Sequence, residues 1–169
     1  MGRVRPNDPL SPKSRWLRAL SWSARQRPVT WFLVNVGNRV DPVLMRLSGG
    51  HVRTTLSAPT VLLTHTGAKS GKERSTPLAY FTDGEDVVLI ASRGGHDHNP
   101  AWYHNVRANP EVALWTTGGG GRYRAEVADR KERERLWKLA TTFYPGFASY
   151  QERCSDRVIP VVVCSPLED

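Results

Sequence analysis

A short loop rich in cations is the first candidate for chemistry in this chain. The sequence TGAKSGKERSTPL, residues 66–78, carries Lys69, Lys72 and Arg74 among small residues and follows an apolar run at 61–63. Such a loop presents backbone N–H groups beside positive charges, which suits a phosphate or a carboxylate. The alternative is a solvated hairpin turn whose charges serve solubility.

This loop does not match the phosphate-binding loop of nucleoside triphosphatases. That motif requires four residues between its first glycine and a Gly-Lys-Ser/Thr sequence, followed by a helix. Three residues separate Gly67 from Gly71, and Glu73 stands where the hydroxyl that binds magnesium should be. Residues 75–81 include Thr, Pro, Tyr and Phe and predict a strand. The pattern therefore indicates an anion site that works without magnesium.

A second candidate lies farther along the chain, in the sequence SRGG at residues 92–95. A predicted strand that runs into Ser-x-Gly-Gly exposes backbone N–H groups where a flat ligand can approach closely. Immediately beyond it, Asn99 is predicted to cap a helix that has Trp102 and Tyr103 near its start. An ordinary turn followed by a helix cap is the alternative.

The sequence gives only weak evidence for a metal site, a catalytic nucleophile or a pair of catalytic carboxylates. His96 and His98 form a His-x-His pair and His104 follows on a predicted helix, but no second cluster has metal-ligand spacing, so we expect no metal site. The chain has no Gly-x-Ser-x-Gly nucleophile motif. Cys164 lies in an apolar strand, where a cysteine is usually inert. The acidic residues at 130–135 alternate with Lys and Arg, which is typical of a solvated helix face.

The composition predicts one domain with an uneven charge. The chain has 169 residues and a net charge of +8, and residues 1–30 hold seven cations against the single acid Asp8, which leaves about +2 for the rest. A basic leader of this kind is typical of a disordered arm, an anionic membrane surface or nucleic acid. Two cysteines are too few for a disulfide framework, and no signal peptide or transmembrane stretch is evident, so we expect a cytoplasmic protein.

Hydrophobic patterning predicts the elements that must position these residues. Residues 1–24 lack a period and are expected to be loose. The apolar stripe Phe32, Val36, Val40, Val43 and Leu47 has helical spacing, interrupted at Asp41-Pro42, and predicts a helical segment that packs on the core or, alternatively, lies on a membrane. We therefore predict two parts, a basic arm with this segment at 1–50 and a cofactor-binding domain at 51–169.

The second part reads as strands with two helices between them. Asp83-Gly84 marks a hairpin, Asp129 and Glu132 have capping-box spacing, and Pro160 restricts the last strand to an edge or a bulge. The predicted helices run from Asn99 to about residue 108 and from 130 to about 143. The predicted strands are 60–66, 75–82, 86–92, 111–117, 122–128 and 157–164. The expected fold class is α+β, with a mainly antiparallel six-stranded barrel and flanking helices.

Five stretches, taken together, resemble one family. In order, TGAKSGKERSTPLAYF, LIASRGG, NPAWYHNVRANPEV, YPGFASY and RVIPVVVC are similar to the deazaflavin-dependent nitroreductases of actinobacteria over residues 58–166. The resemblance implies a split β-barrel related to flavin reductases, with coenzyme F420 as the cofactor and FMN as the alternative. It also implies that the cation-rich loop binds the phosphate and glutamate tail of F420.

The resemblance implies site residues by position. The loop and the strand after it would bind the cofactor through Ala68, Lys69, Ser70, Arg74, Ser75, Thr76, Pro77, Leu78 and Ala79. The deazaflavin ring would be lined by Ile90, Ala91, Ser92 and Arg93. The start of the helix would complete the pocket through Ala101, Trp102, Tyr103, His104 and Asn105, where a helix dipole favours an anion.

The implied activity is hydride transfer from reduced F420 to a quinone or another flat, electron-poor substrate such as a nitroaromatic, a reaction for which the protein mainly binds and orients both partners. Ser92, Tyr144 and Tyr150 are the implied catalytic residues. The family's Tyr-x-x-Tyr-x-x-Tyr run has Phe147 at its middle position here. This removes a hydrogen-bonding group beside the cofactor and affects nitroimidazole reduction more than quinone reduction.

Three further hypotheses remain from the sequence. A nucleic-acid-binding module is disfavoured because the basic leader has no recognised fold and its aromatics Trp16, Trp22 and Trp31 do not form a strand platform, so we expect no nucleic acid partner. Residues 1–48 are expected to bring the enzyme to the inner face of an anionic membrane as a peripheral protein. A homodimer is the remaining hypothesis on assembly.

Overall fold

Six segments with alternating or continuous burial form an antiparallel β-barrel in the computed structural model of the chain, which describes residues 3–11 and 59–168. The strands are β1 (Thr60–Thr66), β2 (Glu73–Asp83), β3 (Asp86–Ile90), β4 (Glu111–Thr116), β5 (Gly119–Val127) and β6 (Val161–Pro166). Their order around the barrel is β1-β2-β3-β6-β5-β4, and β4 pairs with β1 to close it. The predicted fold class, α+β with a six-stranded antiparallel barrel, is confirmed.

Several strand boundaries differ from the predictions, with β2 and β5 beginning two and three residues earlier, and β3 and β6 differ for identifiable reasons. β3 ends at Ile90 rather than at Ser92, because the Ser92 N–H turns back to the Ile90 carbonyl at 2.8 Å. β6 begins at Val161, later than predicted. The expectation that Pro160 confines this strand to an edge or a bulge is wrong, since β6 pairs with both β3 and β5. Pro160 lies just before the strand, where no N–H is needed, and its carbonyl accepts the Ala91 N–H at 3.0 Å.

Three helices accompany the barrel in the described residues: α1 (Ala101–Ala108), α2 (Arg130–Phe143) and α3 (Gly146–Arg153). The predicted cap of α2 is confirmed, because the Asp129 side chain accepts the Glu132 N–H at 2.8 Å. The predicted cap of α1 is wrong. Pro100 occupies the N-cap position without a side-chain hydrogen bond, and the Asn99 side chain instead binds Arg157.

The third helix was not predicted from the sequence. Its start, Pro145-Gly146, is typical of a turn, and the helix has only eight residues. Its buried residues Phe147 and Tyr150, followed by Cys154 at its end, nevertheless recur at steps of three and four. These side chains pack between α2 and the barrel, so tertiary packing rather than local propensity accounts for the helix.

Strand alternation divides the apolar side chains into two cores. On β2, Tyr80 points into the barrel and Phe81 points outward. The interior core receives side chains from all six strands and from α1, while the outer core lies between β2, β3 and β6 on one side and α2 and α3 on the other. Burying each large apolar side chain contributes about 1.5–3 kcal/mol. The outer core therefore fixes α3, which carries the predicted tyrosine run, against the barrel.

The first described residues also pack on the barrel. Val4 is buried and its N–H donates to the Tyr123 hydroxyl at 3.0 Å, while the Tyr80 hydroxyl donates to the Arg5 carbonyl at 2.9 Å. The expectation that residues 1–24 are loose is therefore wrong for this stretch. Both tyrosines are buried, and buried hydroxyls need partners, which the N-terminal main chain supplies.

Several predictions on the N-terminal part lie outside the described residues. These are the helical stripe from Phe32 to Leu47, the basic residues from Lys13 to Arg27, and the boundary between the two predicted parts at residue 50. Within residues 3–11 and 59–168, no helix is long and apolar enough to cross a membrane.

Candidate functional site

The cation loop, residues 67–74, is closed by its own backbone. The Gly71 N–H donates to the Gly67 carbonyl at 2.8 Å, and the Gly67 N–H donates to the Lys72 carbonyl at 2.9 Å. Gly71 has φ of 63°, in the left-handed region that favours glycine. At Gly67 a Cβ would lie 2.6 Å from the Ser70 hydroxyl oxygen, so a larger residue there would require the Ser70 side chain to move.

The cations of this loop have no acidic partner in the described part of the chain. Lys69, Lys72 and Arg74 are all exposed. The ion pairs that residues 3–11 and 59–168 form involve other cations, such as Arg122 with Glu111 and Arg135 with Asp83. Positive charges held close together and not ion-paired in these ranges, although Glu73 lies in the same loop, suit a multiply charged anionic ligand.

A neutral hydrogen-bond network ties the cation loop to α1. The Ala68 N–H donates to Asn105 Oδ1 at 3.0 Å, so the Asn105 amide nitrogen is the donor to His65 Nδ1 at 3.2 Å. His65 Nδ1 is therefore the acceptor, and Nε2 carries the hydrogen toward Thr76 Oγ1 at 3.2 Å. Burial, followed by the positive charge of Arg74, lowers the pKa of His65 to about 4. The histidine is thus neutral at neutral pH.

The first part of β2 has a strand partner on one side only among the described residues. β1 pairs with Glu73 through Ala79, whereas β3 pairs with β2 only from Tyr80 onward, and after Ile90 the chain turns away. The other edge of β2 between residues 73 and 79 therefore presents backbone groups that no described strand uses. A flat ligand that reaches this edge would meet main chain on one side and the segment after β3 on the other.

Strand alternation sorts the predicted binding residues of β2. Ser75 faces outward, where its hydroxyl lies 3.2 Å from that of Thr64, and Pro77 and Ala79 share this face. Thr76 and Leu78 face inward. Thr76 binds His65 and Leu78 packs against the interior core. Because these two side chains point into the barrel, they cannot make the predicted contacts with a cofactor on the outer face.

The segment that follows β3, residues 91–99, lies against α3. Ser92 is buried and precedes the 3₁₀ turn Arg93–Gly95, in which exposed Arg93 has φ of 48°. A left-handed conformation in a residue other than glycine is uncommon and is often found at functional sites. A Cβ on Gly95 would lie 2.7 Å from the Tyr150 carbonyl oxygen, so this turn packs directly on the backbone of α3.

The predicted tyrosine run forms one aromatic cluster, Tyr144, Phe147 and Tyr150. The hydroxyl oxygens of Tyr144 and Tyr150 lie 3.3 Å apart. The Phe147 ring stands edge-on to Tyr144 at 5.2 Å and to Tyr150 at 6.1 Å between centroids. A Cβ on Gly146 would overlap the Tyr144 ring, so this glycine lets the ring fold back over the start of α3. The fold thereby brings the cluster beside the turn that holds Ser92.

The start of α1 contributes less to the site than predicted. Trp102 and Tyr103 are buried in the interior core. Ala101 and His104 are exposed. Asn105 contacts the cation loop through Ala68, so it is the predicted α1 residue that the structure connects to another part of the site.

Arg157 is a residue that the sequence reasoning missed. Its guanidinium donates to the carbonyl oxygens of Ala91 at 3.1 Å, Ser92 at 2.9 Å and His96 at 2.6 and 3.0 Å, and to Asn99 Oδ1 at 2.8 Å. Most of these acceptors are main-chain groups, which leave no signal in the sequence. His65 was also missed, but alternation along β1 places it on the same face as Val61 and Leu63 and could have indicated a buried histidine.

The histidines after β3 do not form a metal site. His96 and His98 stack with ring centroids 6.3 Å apart. Asp97 between them instead accepts the Ser155 N–H at 3.1 Å and the Ser155 hydroxyl at 3.2 Å, and these bonds lower the pKa of Asp97. Across residues 3–11 and 59–168, no group of three His, Cys, Asp or Glu side chains is placed to bind a metal ion.

Comparison with known sequences gives one class of protein. The sequence profile of the F420H(2)-dependent quinone reductase family matches residues 38–166. An F420H(2)-dependent quinone reductase of Mycobacterium tuberculosis (strain H37Rv) is 34% identical over 132 residues, which cover 74% of this chain and 87% of that protein. A second protein of that strain, provisionally named for the same reaction, is 38% identical over 122 residues, covering 72% and 99%.

Solved structures give the same result. One, described as an F420-H2 dependent reductase, is 42% identical, has a TM-score of 0.59 and is matched over 63% of this chain and 94% of its own length. Another, described as a domain-swapped dimer, is 38% identical with a TM-score of 0.61, over 75% and 94%. The likeness thus extends over nearly the whole of each solved chain.

Proposed function

We propose that this chain, which belongs to the F420H(2)-dependent quinone reductase family, reduces a quinone that binds beside the aromatic cluster of Tyr144, Phe147 and Tyr150. Membership makes the protein an oxidoreductase with coenzyme F420 as its cofactor. The observation that carries the proposal for the site is the cation loop. Its exposed cations lack a carboxylate partner in the described residues and stand next to the partly unpaired edge of β2.

The residues present fit this cofactor. Lys69, Arg74 and the N–H groups of the loop would bind the anionic tail, because charge-assisted hydrogen bonds to phosphate and carboxylate are the strongest that such groups form. The outward residues Ser75 and Ala79 are small and partly exposed and would allow a flat ring to lie against β2, whereas Pro77 on the same face is buried. The turn at Ser92 would bound the ring on the other side.

When bound, reduced F420 supplies the hydride. The chain's own residues then have three tasks: to bind the tail, to orient the ring and the acceptor, and to handle a proton. A quinone that receives a hydride also takes up a proton. The hydroxyl oxygens of Tyr144 and Tyr150 lie 3.3 Å apart, and either can be the donor. We propose that the Tyr150 hydroxyl donates to an oxygen of the quinone.

The substrate preference follows from Phe147. At the middle of the cluster its ring offers apolar surface and no hydroxyl. A quinone asks mainly for a flat apolar slot, so we propose quinones as the preferred acceptors and nitroaromatics as poorer ones.

A titration of the purified full chain with F420 and with FMN tests the proposal. We expect F420 to bind at least about tenfold more tightly, since FMN lacks the glutamate part of the tail and would use fewer of the loop's cations. Steady-state reduction of a soluble quinone by reduced F420 should follow. Tighter binding of FMN, or no quinone reduction with bound F420, would contradict the proposal.

A peripheral position on an anionic membrane is a further part of the proposal. Its support is the excess of cations in residues 1–30, of which Arg3 pairs with Glu85 on the barrel, and a lipid-soluble acceptor would be met where it dissolves. Co-sedimentation at low salt with anionic and with neutral vesicles tests this. Equal recovery with both vesicle types would contradict it.

We also propose a homodimer, because a relative with 38% identity has been described as a domain-swapped dimer. Light scattering coupled to size-exclusion chromatography gives the mass directly. A mass equal to that of one chain, 19.0 kDa, over micromolar concentrations would contradict a stable dimer.

A further inference from the structure

We infer that Arg157 is a positioning residue for the hydride-transfer site, because it holds the main chain at Ser92 in the conformation that faces the deazaflavin ring. The inference rests on the proposed function and names a residue that acts through Ser92 rather than by contact with the substrate. Arg157 lies in the link between α3 and β6, at the start of the stretch RVIPVVVC, and the resemblance implies no site role for it.

All five N–H groups of the Arg157 guanidinium have acceptors in segment 91–99. Nη1 donates to the Ala91 carbonyl and to Asn99 Oδ1, Nη2 donates to the carbonyls of Ser92 and His96, and Nε donates to the same His96 carbonyl. The distances lie between 2.6 and 3.1 Å. One side chain therefore fixes the beginning, the middle and the end of the segment.

The arrangement requires arginine rather than a positive charge alone. A guanidinium is a planar fork with five donors in fixed directions, whereas an ammonium has three donors on a flexible stem. Within the described residues Arg157 forms no ion pair with a carboxylate, and its acceptors are carbonyl oxygens. Its contribution is thus the geometry of the segment, not the neutralisation of a charge.

The uncommon conformation of the turn explains why it needs the hydrogen bonds from Arg157. Arg93, next to Ser92, has φ of 48°. A residue other than glycine adopts this conformation at a cost that the surrounding contacts must offset. The Arg157 bonds to the carbonyls of Ala91, Ser92 and His96 flank this residue on both sides. Without them the turn would be expected to relax, and the Ser92 main chain would move with it.

The anchor is itself fixed to the helix that carries the aromatic cluster. The Gln151 amide nitrogen in α3 donates to the Arg157 carbonyl at 2.7 Å, and Gln151 Oε1 accepts the Ile159 N–H at 2.9 Å. The Cys154 sulfur lies 3.4 Å from Arg157 Nη2. Arg157 therefore sets the distance between the turn at Ser92 and the cluster on α3, which are the two sides between which hydride donor and acceptor would meet.

The experiment compares two variants and a control in the full chain. Arg157→Lys keeps the charge and loses the fork, and Asn99→Ala removes one acceptor at little risk to folding. Arg135→Lys is the control. It makes the same replacement in α2, where the Arg135 guanidinium donates to Asp83 Oδ2 at 2.6 Å, apart from segment 91–99 and from Gln151.

The main measurement uses the deazaflavin fragment that lacks the phosphate and glutamate tail. Calorimetric titration of this fragment reports on the ring site alone, and titration of whole F420 reports on ring and tail together. We expect Arg157→Lys to weaken binding of the fragment about tenfold and to lower kcat with reduced F420 by a similar factor. Asn99→Ala should act in the same direction by about twofold to threefold, and Arg135→Lys should change neither value.

Hydrogen exchange of the cofactor-free protein gives an independent readout. Amides in segment 91–99 should exchange faster in Arg157→Lys, whereas those of the cation loop should not change. A folded Arg157→Lys protein with the fragment affinity and kcat of the unaltered chain would overturn the inference. If that variant does not fold, unaltered values in Asn99→Ala would overturn it. Failure of the unaltered chain to bind F420 would instead overturn the proposed function.

Discussion

Two segments bound the proposed ring site, and they are held by opposite kinds of chemistry. The cation loop is attached to α1 through a single chain of neutral groups, in which His65, Asn105 and the Ala68 N–H follow one another. Segment 91–99 is attached by the permanent cation Arg157 through several bonds at once. The loop that is to bind an anion thus keeps its own charges unpaired within the described residues, while the segment that is to face the ring is held from outside by a cation whose N–H groups all have acceptors.

Each kind of attachment suits the role proposed for its segment. A cation that is paired inside the protein loses most of its attraction for a ligand, so the fastening of an anion site is best made from neutral groups. A turn held in an uncommon conformation needs several simultaneous bonds, because one bond contributes only about 1 kcal/mol and local strain of 1–3 kcal/mol opposes it. We therefore expect the cation loop to determine the affinity for the cofactor and segment 91–99 to determine the orientation of its ring.

The sharpest test of this division is charge removal in the loop. We expect Lys69→Ala and Arg74→Ala each to weaken F420 binding roughly tenfold to a hundredfold, since a charge-assisted hydrogen bond contributes about 1.5–3 kcal/mol. Neither variant should affect the tail-less fragment. Calorimetric titrations of both ligands check the prediction, and Lys131→Ala, which removes an exposed charge from α2, serves as the control. Unchanged F420 affinity in both variants would break the comparison.

Ser92→Val tests the other side. If the main chain and hydroxyl of Ser92 orient the reacting edge of the ring, this variant should lower kcat by about tenfold and leave F420 affinity within about twofold. Single-turnover rates at saturating cofactor and quinone measure the effect. A normal rate at saturation, with stability and affinity falling together, would show that the buried serine only fills space.

Most of the barrel was accessible from the sequence because its signals are local. The apolar run at 61–63 and the cap at Asp129 accompanied predictions of β1 and α2 with the bounds observed. The cation loop was equally evident, since its glycines and cations are adjacent in the chain. The outward and inward sorting of Ser75 and Thr76 also follows from strand period alone, although the resemblance by position treated them alike.

The parts that were missed depend on contacts distant in sequence. Arg157 meets segment 91–99 across about sixty residues, and its acceptors are mainly carbonyl groups that every residue possesses. Asn99 looked like a helix cap because its local context before Pro100 favours one, but the guanidinium takes its side-chain oxygen. Likewise, nothing local indicated that Val4 and Arg5 complete the hydrogen bonding of buried tyrosines.

The neutral attachment predicts a dependence on pH that the cationic one lacks. His65 has a pKa of about 4 in the folded chain against about 6.5 when unfolded. Above pH 6.5 both states are neutral and the group has no effect. As pH falls from 6.5 to 4, the unfolded state binds a proton that the folded state resists, so the free energy of unfolding decreases, and below pH 4 this contribution is constant. A guanidinium keeps its charge over the whole range.

Urea unfolding between pH 4 and 8 measures this dependence. The decrease below pH 6.5 should be smaller in His65→Gln than in the unaltered chain, while the exposed histidine variant His104→Gln should retain it. Other groups titrate in the same range, so the difference between the two variants is the decisive quantity. Equal slopes in both would show that His65 does not couple the loop to α1 through its neutral form.

The smallest expected effect concerns the aromatic cluster, which, like segment 91–99, is proposed to set the geometry of the site rather than the affinity for the cofactor. Phe147→Tyr restores a hydroxyl at the middle of the run, between two tyrosines whose own hydroxyl oxygens are 3.3 Å apart. The added group offers a hydrogen bond to a polar acceptor such as a nitro group, whereas a quinone in a flat slot gains little from it. We expect the rate with a nitroaromatic to rise about threefold to tenfold and the rate with a quinone to change less than about twofold, since one neutral hydrogen bond contributes about 0.5–1.5 kcal/mol. The ratio of the two values of kcat/KM is the measurement, and Phe147→Leu, which changes the packing at the same position without adding a hydroxyl, is the control. A proportional change with both substrates would mean that position 147 affects the site through packing, and that acceptor choice is determined elsewhere in the chain.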